Sequence, residues 1–405
     1  MNAQPDRAGP LAGVRVVDLT SVLFGPYAAQ TLGDYGADVI KVEAPEGDST
    51  RSTGPGREAG MSPVFLGANR NKRSVVLDLK QPQARDALLA LIDTADVFMH
   101  SVRPQKLIPL GLDAATLLAR RPGLVYAGLH GFRASGPYGG QPAYDDIVQG
   151  LSGIADLMQR QGGEPRYLPS AAADKTCGHV AAHAILAALF ARERSGRGCE
   201  VEVPMFESMV AFNLVEHLYG RHFEPPTAGA GYPRVLAPWR RPYRTLDGHV
   251  CMMPYTDAHW RRFFDEAGRA ELVADPRFAS IGARTQNIEA LYDLLAQIAA
   301  SRTSAQWLEA CRRLEIPAGP VNRLDDLPDD PHLRAIGFFE TIEDPAIGTL
   351  RFTGVPVSFD GRSPPPSMPP RLGEHTREVL SQAGLPQATI DAMIASGAAR
   401  QWSRG

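Results

Sequence analysis

Residues 14–43, VRVVDLTSVLFGPYAAQTLGDYGADVIKVE, carry the clearest structural pattern of this chain. Their apolar pattern predicts a strand at 14–19, a helix at 26–35 and a second strand at 37–43. A strand, a helix and a strand within about 30 residues form a βαβ unit, whose two strands pair in parallel. The loop after the first strand carries a single glycine, Gly25, so neither a GxGxxG dinucleotide fingerprint nor a Walker loop is present.

The alternation of strand and helix continues to about residue 130. Strands are predicted at 75–79, 96–101 and 124–129, and helices at 83–94 and 114–120. Alternating elements of this kind indicate a doubly wound, Rossmann-like α/β domain. Because ligands bind such sheets at the carboxyl ends of the strands, we expect the loops after these strands to form any site.

A change in composition near residue 225 divides the chain. Residues 225–233 are rich in proline and glycine, which is typical of a linker or loop. We therefore predict a large α/β domain at 1–225, a smaller inserted α+β domain at 226–325, and a C-terminal part at 326–405 that returns to the large domain. Further strands are predicted at 248–254, 337–343 and 349–358, and further helices at 258–267, 287–299, 304–313, 374–384 and 387–396.

Composition excludes several classes of protein. Hydrophobic residues make up 44% and charged residues 21% of the 405 residues, as in soluble globular proteins. The formal charge of −3 gives no general attraction to nucleic acid or to an anionic membrane, and no apolar run approaches the ~20 residues of a membrane span. Residues 1–7 lack the apolar core of a signal peptide. The four cysteines lack CxxC or zinc-ligand spacing, so we expect reduced thiols and a cytoplasmic location.

Asp174 is the candidate nucleophile. Small apolar residues predict one buried helix at 176–194, which Gly196 and Gly198 end, and Asp174 lies just ahead of its first turn. There the helix dipole favours an ionised carboxylate, and unpaired N–H groups are available to an oxyanion. Asp174 is therefore either a nucleophile facing a pocket or only the N-cap, and this segment alone leaves both interpretations open.

Two features of the same helix are interpreted as structural. His179 and His183 have the i, i+4 spacing of a zinc-binding pair, but residue 180 is Val, HExxH is absent and no third ligand is evident. We predict no metal site. Cys177 lies near the helix start, where a thiol can become reactive, but it has no catalytic histidine partner and is predicted to be a small core residue.

A second candidate site is an arginine-rich loop. Arg234, Arg240 and Arg241 flank Trp239. Arginine binds carboxylates through two parallel hydrogen bonds, which suits recognition of a carboxylic acid substrate. Solvated surface arginines are the alternative interpretation.

Several motifs occur in a fixed order along the chain. They are LAGVRVVDLT at 11–20, GDYGADVIKVE at 33–43, NRNKRS at 69–74, YD at 144–145, ARERSGRG at 191–198 and LGEHT at 372–376. In this order they resemble the class III coenzyme A transferases, the CaiB/BaiF-like family of formyl-CoA and carnitine-CoA transferases. The resemblance is close over most of residues 10–215 and looser beyond them.

The resemblance implies an assembly, a chemistry and a set of binding residues. The family forms an interlocked homodimer, in which each subunit is a ring threaded through the other. Its nucleophilic aspartate falls on Asp174, which would form an acyl–aspartyl anhydride and then an aspartyl-CoA thioester. Coenzyme A and acyl-CoA are substrates, and no cofactor is bound permanently. By resemblance, CoA contacts fall on Leu23, Phe24, Leu77, Lys80, Ser101, Val102, Arg103, Tyr144 and Asp145.

The alternatives follow from the same family. It includes α-methylacyl-CoA racemases, in which a His precedes an Asp-Ile pair, whereas Asp145 precedes Asp146 and Ile147 here. This difference favours transfer of CoA between acids over racemisation. The arginine loop and a likeness to members that use succinyl-CoA favour dicarboxylates, such as succinate and a C4–C6 partner. A racemase and a catalytically idle CoA-binding homologue are the other interpretations.

Overall fold

The computed structural model describes residues 9–403, so the polar leader at 1–7 lies outside the described residues. The strands are β1 Arg15–Leu19, β2 Asp38–Glu43, β3 Lys72–Leu77, β4 Val97–His100, β5 Val125–His130, β6 Glu200–Pro204, β7 Tyr243–Arg244, β8 His249–Met252, β9 Ala318–Pro320, β10 Phe339–Asp344, β11 Gly348–Thr353 and β12 Ala399–Arg400. The helices are α1 Phe24–Asp34, α2 Pro63–Ala68, α3 Pro82–Asp93, α4 Pro104–Leu107, α5 Ala114–Arg120, α6 Asp145–Leu151, α7 Ile154–Gln161, α8 Ala172–Ser195, α9 Met205–His217, α10 Pro233–Leu236, α11 Asp257–Glu266, α12 Ile281–Gln286, α13 Ile288–Ala299, α14 Ser304–Arg313, α15 Pro331–Ala335, α16 Thr376–Gln382 and α17 Gln387–Ala395.

Seven strands form one sheet in the order β12-β3-β2-β1-β4-β5-β6. Strands β1 to β6 pair in parallel, and β12 joins the edge antiparallel to β3. The order 3-2-1-4-5-6 is that of a doubly wound sheet, and the strand order reverses between β1 and β4. The prediction of an α/β fold with a large parallel sheet is confirmed.

Strand β3 begins earlier than the sequence predicts, at Lys72 instead of residue 75. The pattern assigns Lys72 and Arg73 to a loop because charged side chains seldom occupy buried strands. Both are buried, 2% and 3% exposed. Each has a carboxylate partner, with Lys72 Nζ 3.1 Å from Asp18 and Arg73 Nη2 2.5 Å from Asp38. Pairing permits these two charges to lie in the sheet.

Helix α8 also differs from its prediction. It begins at Ala172 instead of residue 176, and it is buried along one face, while Val180 is 38% and Phe190 68% exposed in the chain. The predicted buried helix is therefore buried along one face in the single chain and exposed on the other. Alanines occur on every side of α8, so the sequence pattern gives little indication of which face packs. Within residues 9–403, neither α8 nor another helix is long and apolar enough to cross a membrane.

Contacts divide the chain into two compact units. The first comprises the chain up to Ser152, residues 168–211 and the chain from Pro331, and the second comprises residues 153–167 and 212–330. The sequence predicted an inserted domain at 226–325, whereas the second unit runs from 212 to 330 and also includes residues 153–167.

Each unit has its own hydrophobic core. In the first, α3, α16 and α17 cover one face of the sheet, where Leu88, Leu380 and Ile390 pack with Val75. In the second, aromatic side chains of α11 and α14, such as Trp260 and Trp307, pack beside the small sheet β7-β8-β9.

Two buried lysines, one within β2 and one at the amino end of β3, reach carboxylates near the end of β1 and in the loop after β2. Lys41 Nζ donates to Asp48 Oδ2 at 2.9 Å and to the Thr20 carbonyl at 3.0 Å, and Lys72 Nζ donates to Asp18 Oδ2 at 3.1 Å. None of the four charged side chains is more than 1% exposed. These pairs tie the loops after β1 and β2 to the sheet.

Asp18→Asn should destabilise the protein by about 3–5 kcal/mol, because it removes a counter-charge from the buried Lys72. Asp93→Asn is the control, because it breaks a pair with Arg120 in which both side chains are at least 40% exposed, and it should cost about 1 kcal/mol or less. Urea denaturation followed by circular dichroism measures both. A loss below about 1 kcal/mol in Asp18→Asn would contradict the expected contribution of the buried pair.

Candidate active site

Loops at the carboxyl edge of the large sheet enclose a cavity of about 310 Å³, the first cavity. Its wall comes from the loops after β1, β4 and β5 and from the start of α8. Its lining includes Ser21, Val22, Phe24, Ser101, Arg103, His130, Phe132, Tyr144, Asp174 and Met205. It lies where the strand order reverses between β1 and β4, the position at which doubly wound sheets bind ligands.

A second cavity, of about 550 Å³, lies over the ends of β1, β2 and β3 and shares Ser21 with the first. The predicted CoA contacts divide between the two. The first cavity is lined by Phe24, Ser101, Arg103 and Tyr144, and the second by Leu77, Lys80 and Val102. Of the other two predicted contacts, Leu23 is the N-cap of α1 and Asp145 is the first residue of α6.

Asp48 holds the loop between the two cavities. Its carboxylate accepts the Val22 N–H at 3.2 Å and Lys41 Nζ at 2.9 Å. Val22 has φ 71°, a left-handed conformation that a β-branched residue rarely adopts. The charged hydrogen bond that the Val22 N–H donates to Asp48 therefore stabilises a strained backbone position beside the first cavity.

Asp174 reaches the first cavity because α8 packs closely against α1. A Cβ at Gly178 would lie 2.9 Å from the Tyr27 ring and 3.1 Å from the Phe24 carbonyl oxygen, so only glycine permits this approach. Positions i and i+4 of a helix share a face. Asp174 therefore lies on the face of α8 that packs against the start of α1.

A second carboxylate controls the environment of Asp174. Asp174 is 9% exposed, and its N–H donates to Asp145 Oδ1 at 2.9 Å. Burial, and then the negative charge of Asp145, raise the pKa of Asp174 to about 7. Near neutral pH the side chain is therefore in part ionised and poorly solvated, which is the state of a reactive carboxylate.

The structure corrects the predicted position of Asp174. The N-cap of α8 is Ala171, and Asp174 lies inside the first turn, because the alanines that precede it favour the helix. The N–H of Ala172 bonds to the Ser170 carbonyl at 2.7 Å and that of Asp174 to Asp145. These two N–H groups are thus occupied and do not offer the free oxyanion donors that the sequence predicts.

Cys177 is a fully buried core residue, as predicted. Its thiol donates to the Met205 carbonyl at 3.6 Å. Burial, followed by the charges of Asp174 and Asp145, raises the pKa of the thiol to about 12, so it is not a nucleophile at neutral pH.

Sequence reasoning missed two histidines at this edge of the sheet. His100 ends β4 and His130 ends β5, their ring centroids lie 5.3 Å apart, and His130 lines the first cavity. Burial lowers the pKa of His100 to about 3 and also lowers that of His130, so both rings are neutral at pH 7. The available signal was their position at the ends of two predicted strands.

The paired histidines of α8, His179 and His183, were the candidate metal ligands of the sequence. His179 Nε2 lies 3.3 Å from the Tyr27 hydroxyl. Within residues 9–403, no group of three or more His, Cys, Asp or Glu side chains could hold a metal ion.

The predicted substrate arginines belong to the second unit. Arg234 and Arg240 line one cavity there, and Arg240 and Arg241 line a neighbouring one. Their role towards a substrate stays a prediction.

A doubly wound sheet with two neighbouring cavities and a buried carboxylate at its carboxyl edge is typical of α/β proteins that bind ligands at the switch point. Comparison with known proteins narrows the class. The family model described as CoA-transferase family III matches residues 11–376. Succinyl-CoA:mesaconate CoA-transferase of Haloarcula hispanica is 33% identical over 392 residues, covering 94% of this chain and 98% of the relative. Succinate–glutarate CoA-transferase of Agrobacterium fabrum is 33% identical over 403 residues, covering 94% and 98%.

A solved structure agrees with these relatives. The crystal structure of Rv3272 from Mycobacterium tuberculosis superimposes with a TM-score of 0.78 at 32% identity, covering 91% of this chain and 98% of that one. The chain therefore belongs to CoA-transferase family III, and it is an enzyme of that class.

Asp145→Asn should lower the pKa of Asp174, because it removes the neighbouring negative charge and keeps an oxygen for the Asp174 N–H. Difference infrared spectroscopy of the carboxyl band over a pH series measures this titration. Asp146→Asn, an exposed change of equal charge one residue away, should leave it unaltered. An unaltered titration in Asp145→Asn would assign the whole shift to burial.

Proposed function

We propose that this enzyme transfers coenzyme A from an acyl-CoA to a free carboxylic acid through covalent intermediates on Asp174. The main support is that Asp174 is a buried carboxylate, with its pKa raised to about 7, in a cavity at the switch point of the sheet. Membership of CoA-transferase family III supports the reaction class. The names of the relatives support succinyl-CoA as the donor, and a dicarboxylic acid as the acceptor.

The first half of the reaction loads CoA onto the enzyme. The ionised Asp174 attacks the carbonyl carbon of the donor thioester, the C–S bond breaks, and the CoA thiolate leaves with the electron pair. This gives a mixed anhydride between the donor acid and Asp174. The thiolate then attacks the Asp174 carbonyl, the anhydride C–O bond breaks, and the donor acid leaves as a carboxylate.

The second half runs the same steps in reverse with the acceptor. The acceptor carboxylate attacks the aspartyl-CoA carbonyl and expels the thiolate, which then attacks the acceptor carbonyl of the new anhydride. Asp174 is regenerated as a carboxylate, and no proton is gained or lost overall. Each step replaces one activated acyl bond by another, so no ATP is needed.

The two cavities support a division of the CoA molecule between them. Lys80, at the second cavity, offers an ammonium group to phosphate oxygens. Leu77 and Val102 offer apolar surface in the same cavity. Arg103 and Tyr144 line the first cavity together with Asp174, where the thioester would react.

An interlocked homodimer and a cytoplasmic location are parts of this proposal. Large apolar side chains exposed in the single chain, such as Phe190 at 68% and Val215 at 75%, support burial by a second copy. The four cysteines are unpaired, which supports a reducing compartment.

Asp174→Ala should reduce CoA transfer by about 10³-fold or more, because the covalent nucleophile is lost. The assay incubates each protein with succinyl-CoA and a panel of free acids that includes mesaconate and glutarate, and it detects new thioesters by mass spectrometry. Asp146→Ala serves as the control and should retain activity. Undiminished thioester exchange by Asp174→Ala would overturn the mechanism.

The same assay separates the alternatives. In the wild-type protein, quenching during turnover should leave an acyl or CoA adduct on the peptide that carries Asp174. A racemase would instead take deuterium from solvent into the α-carbon of a 2-methylacyl-CoA and form no new thioester. An idle CoA-binding homologue would do neither.

A further inference from the structure

The second unit contains a cavity of about 310 Å³ between α9, α10, α13 and the strand β8, here termed the arginine cavity. Its polar lining consists of two arginines, one glutamate and three tyrosines: Arg234, Arg240, Glu216, Tyr232, Tyr255 and Tyr292. None of these residues takes part in the chemistry assigned to Asp174.

Arg234 is the unusual group in this cavity. It is 3% exposed, and Nη1 has no hydrogen-bond partner within the described part of the chain. Its guanidinium lies over the Tyr255 ring, 5.3 Å from the centroid. A guanidinium stays charged at any physiological pH, and a cation–π contact offsets only part of the cost of removing it from water.

The remaining charges of the cavity do not neutralise Arg234. Arg240 adds a second cation, and its Nη1 donates to the Arg234 backbone carbonyl at 3.4 Å. Glu216 is the carboxylate of the lining, and its Oε1 lies 3.6 Å from His217 Nε2. The Nδ1 of His217 accepts the Tyr232 N–H at 3.1 Å, so the other ring nitrogen faces Glu216. The lining therefore holds two guanidinium groups and one carboxylate, an excess of positive charge.

The third arginine of the loop is arranged differently. The guanidinium of Arg241 lies over the Trp239 ring, 4.7 Å from the centroid. It lines the neighbouring cavity with Arg240 and does not line the arginine cavity. Two of the three arginines that the sequence singled out thus line one cavity, Arg234 and Arg240.

The charged and apolar parts of the lining match the groups of a short dicarboxylic acid. A carboxylate accepts two parallel hydrogen bonds from a guanidinium, and the tyrosine hydroxyls add neutral donors. Val235 and Met253 line the same cavity and provide apolar surface for a chain of methylene groups.

We propose that the arginine cavity binds a carboxylate of the free acid substrate through Arg234 and Arg240, and that it thereby selects dicarboxylic over monocarboxylic acids. The expected change in KM rests on the proposed function, because it requires transfer of CoA to the acid. The binding of the acid itself does not depend on Asp174 chemistry.

The kinetic test compares Arg234→Gln and Arg240→Gln with the wild-type protein. Loss of a charged hydrogen-bond donor should raise the KM for glutarate by about 10- to 100-fold, with little change in kcat. The KM for pentanoate, a monocarboxylate of the same length, should not change. Arg244→Gln, an exposed change on β7 in the same unit, is the matched control and should behave as wild type.

The binding test uses isothermal titration calorimetry of the full-length protein with glutarate, pentanoate and inorganic phosphate, without CoA. Glutarate should bind the wild-type protein and lose about 10-fold or more in affinity in Arg240→Gln. Phosphate binding as tight as that of glutarate would show a general anion site and overturn the selection of dicarboxylates.

Failure of this proposal is distinguishable from failure of the proposed function. If no acid accepts CoA but glutarate binding depends on Arg240, the transferase assignment fails and the carboxylate site stands. If transfer occurs and both arginine variants keep the wild-type KM for glutarate, the site is overturned and the transferase stands. Circular dichroism checks the fold of each variant, and Arg240→Gln, at a partly exposed position, decides the question if the buried Arg234→Gln does not fold.

Discussion

Two buried lysine–aspartate pairs hold the functional edge of this protein in place. An unpaired ammonium group inside a sheet would cost several kcal/mol, and Lys41 and Lys72 each lie within 3.1 Å of a carboxylate oxygen. Burial lowers the pKa of Lys72 to about 8, with Asp18 opposing it. Through Asp48, the same pairs extend to the strained Val22 between the two cavities. The walls of the candidate site therefore depend on interactions that lie beneath it.

Asp174 is the contrasting carboxylate at this edge. Burial disfavours the ionised form of both Asp48 and Asp174, but at Asp48 the charge of Lys41 and the hydrogen bonds from Lys41 and Thr50 outweigh burial and lower the pKa. Asp174 has a second carboxylate beside it instead, and its pKa rises. A paired carboxylate stabilises the fold, whereas a buried carboxylate without a cation is available for chemistry. Arg234 is the corresponding cation, a buried guanidinium whose Nη1 has no hydrogen-bond partner within the described residues.

Much of the first unit was predictable because its signals are local. The βαβ pattern of residues 14–43 appears as β1, α1 and β2, since apolar periodicity is a property of short segments. The position of Lys72 in β3 was not predicted, because its partner Asp18 lies 54 residues away in the sequence. His130 was not predicted because its position at a strand end indicates the right edge of the sheet but not which side chains of that edge line the cavity. The composition of residues 234–241 indicated the arginine loop. It did not indicate which of the guanidinium groups line the same cavity.

The α/β class and the succession of strands and helices could be read from the chain alone, and the order of its motifs indicated Asp174 as the candidate nucleophile. The family model matches residues 11–376. The strand order, the approach of α8 to α1 at Gly178 and the contact between Asp174 and Asp145 became known from the folded chain. They could not be predicted because periodicity and motif spacing act within short stretches of chain. Burial, charge pairing and pKa depend instead on side chains that packing brings together from distant positions.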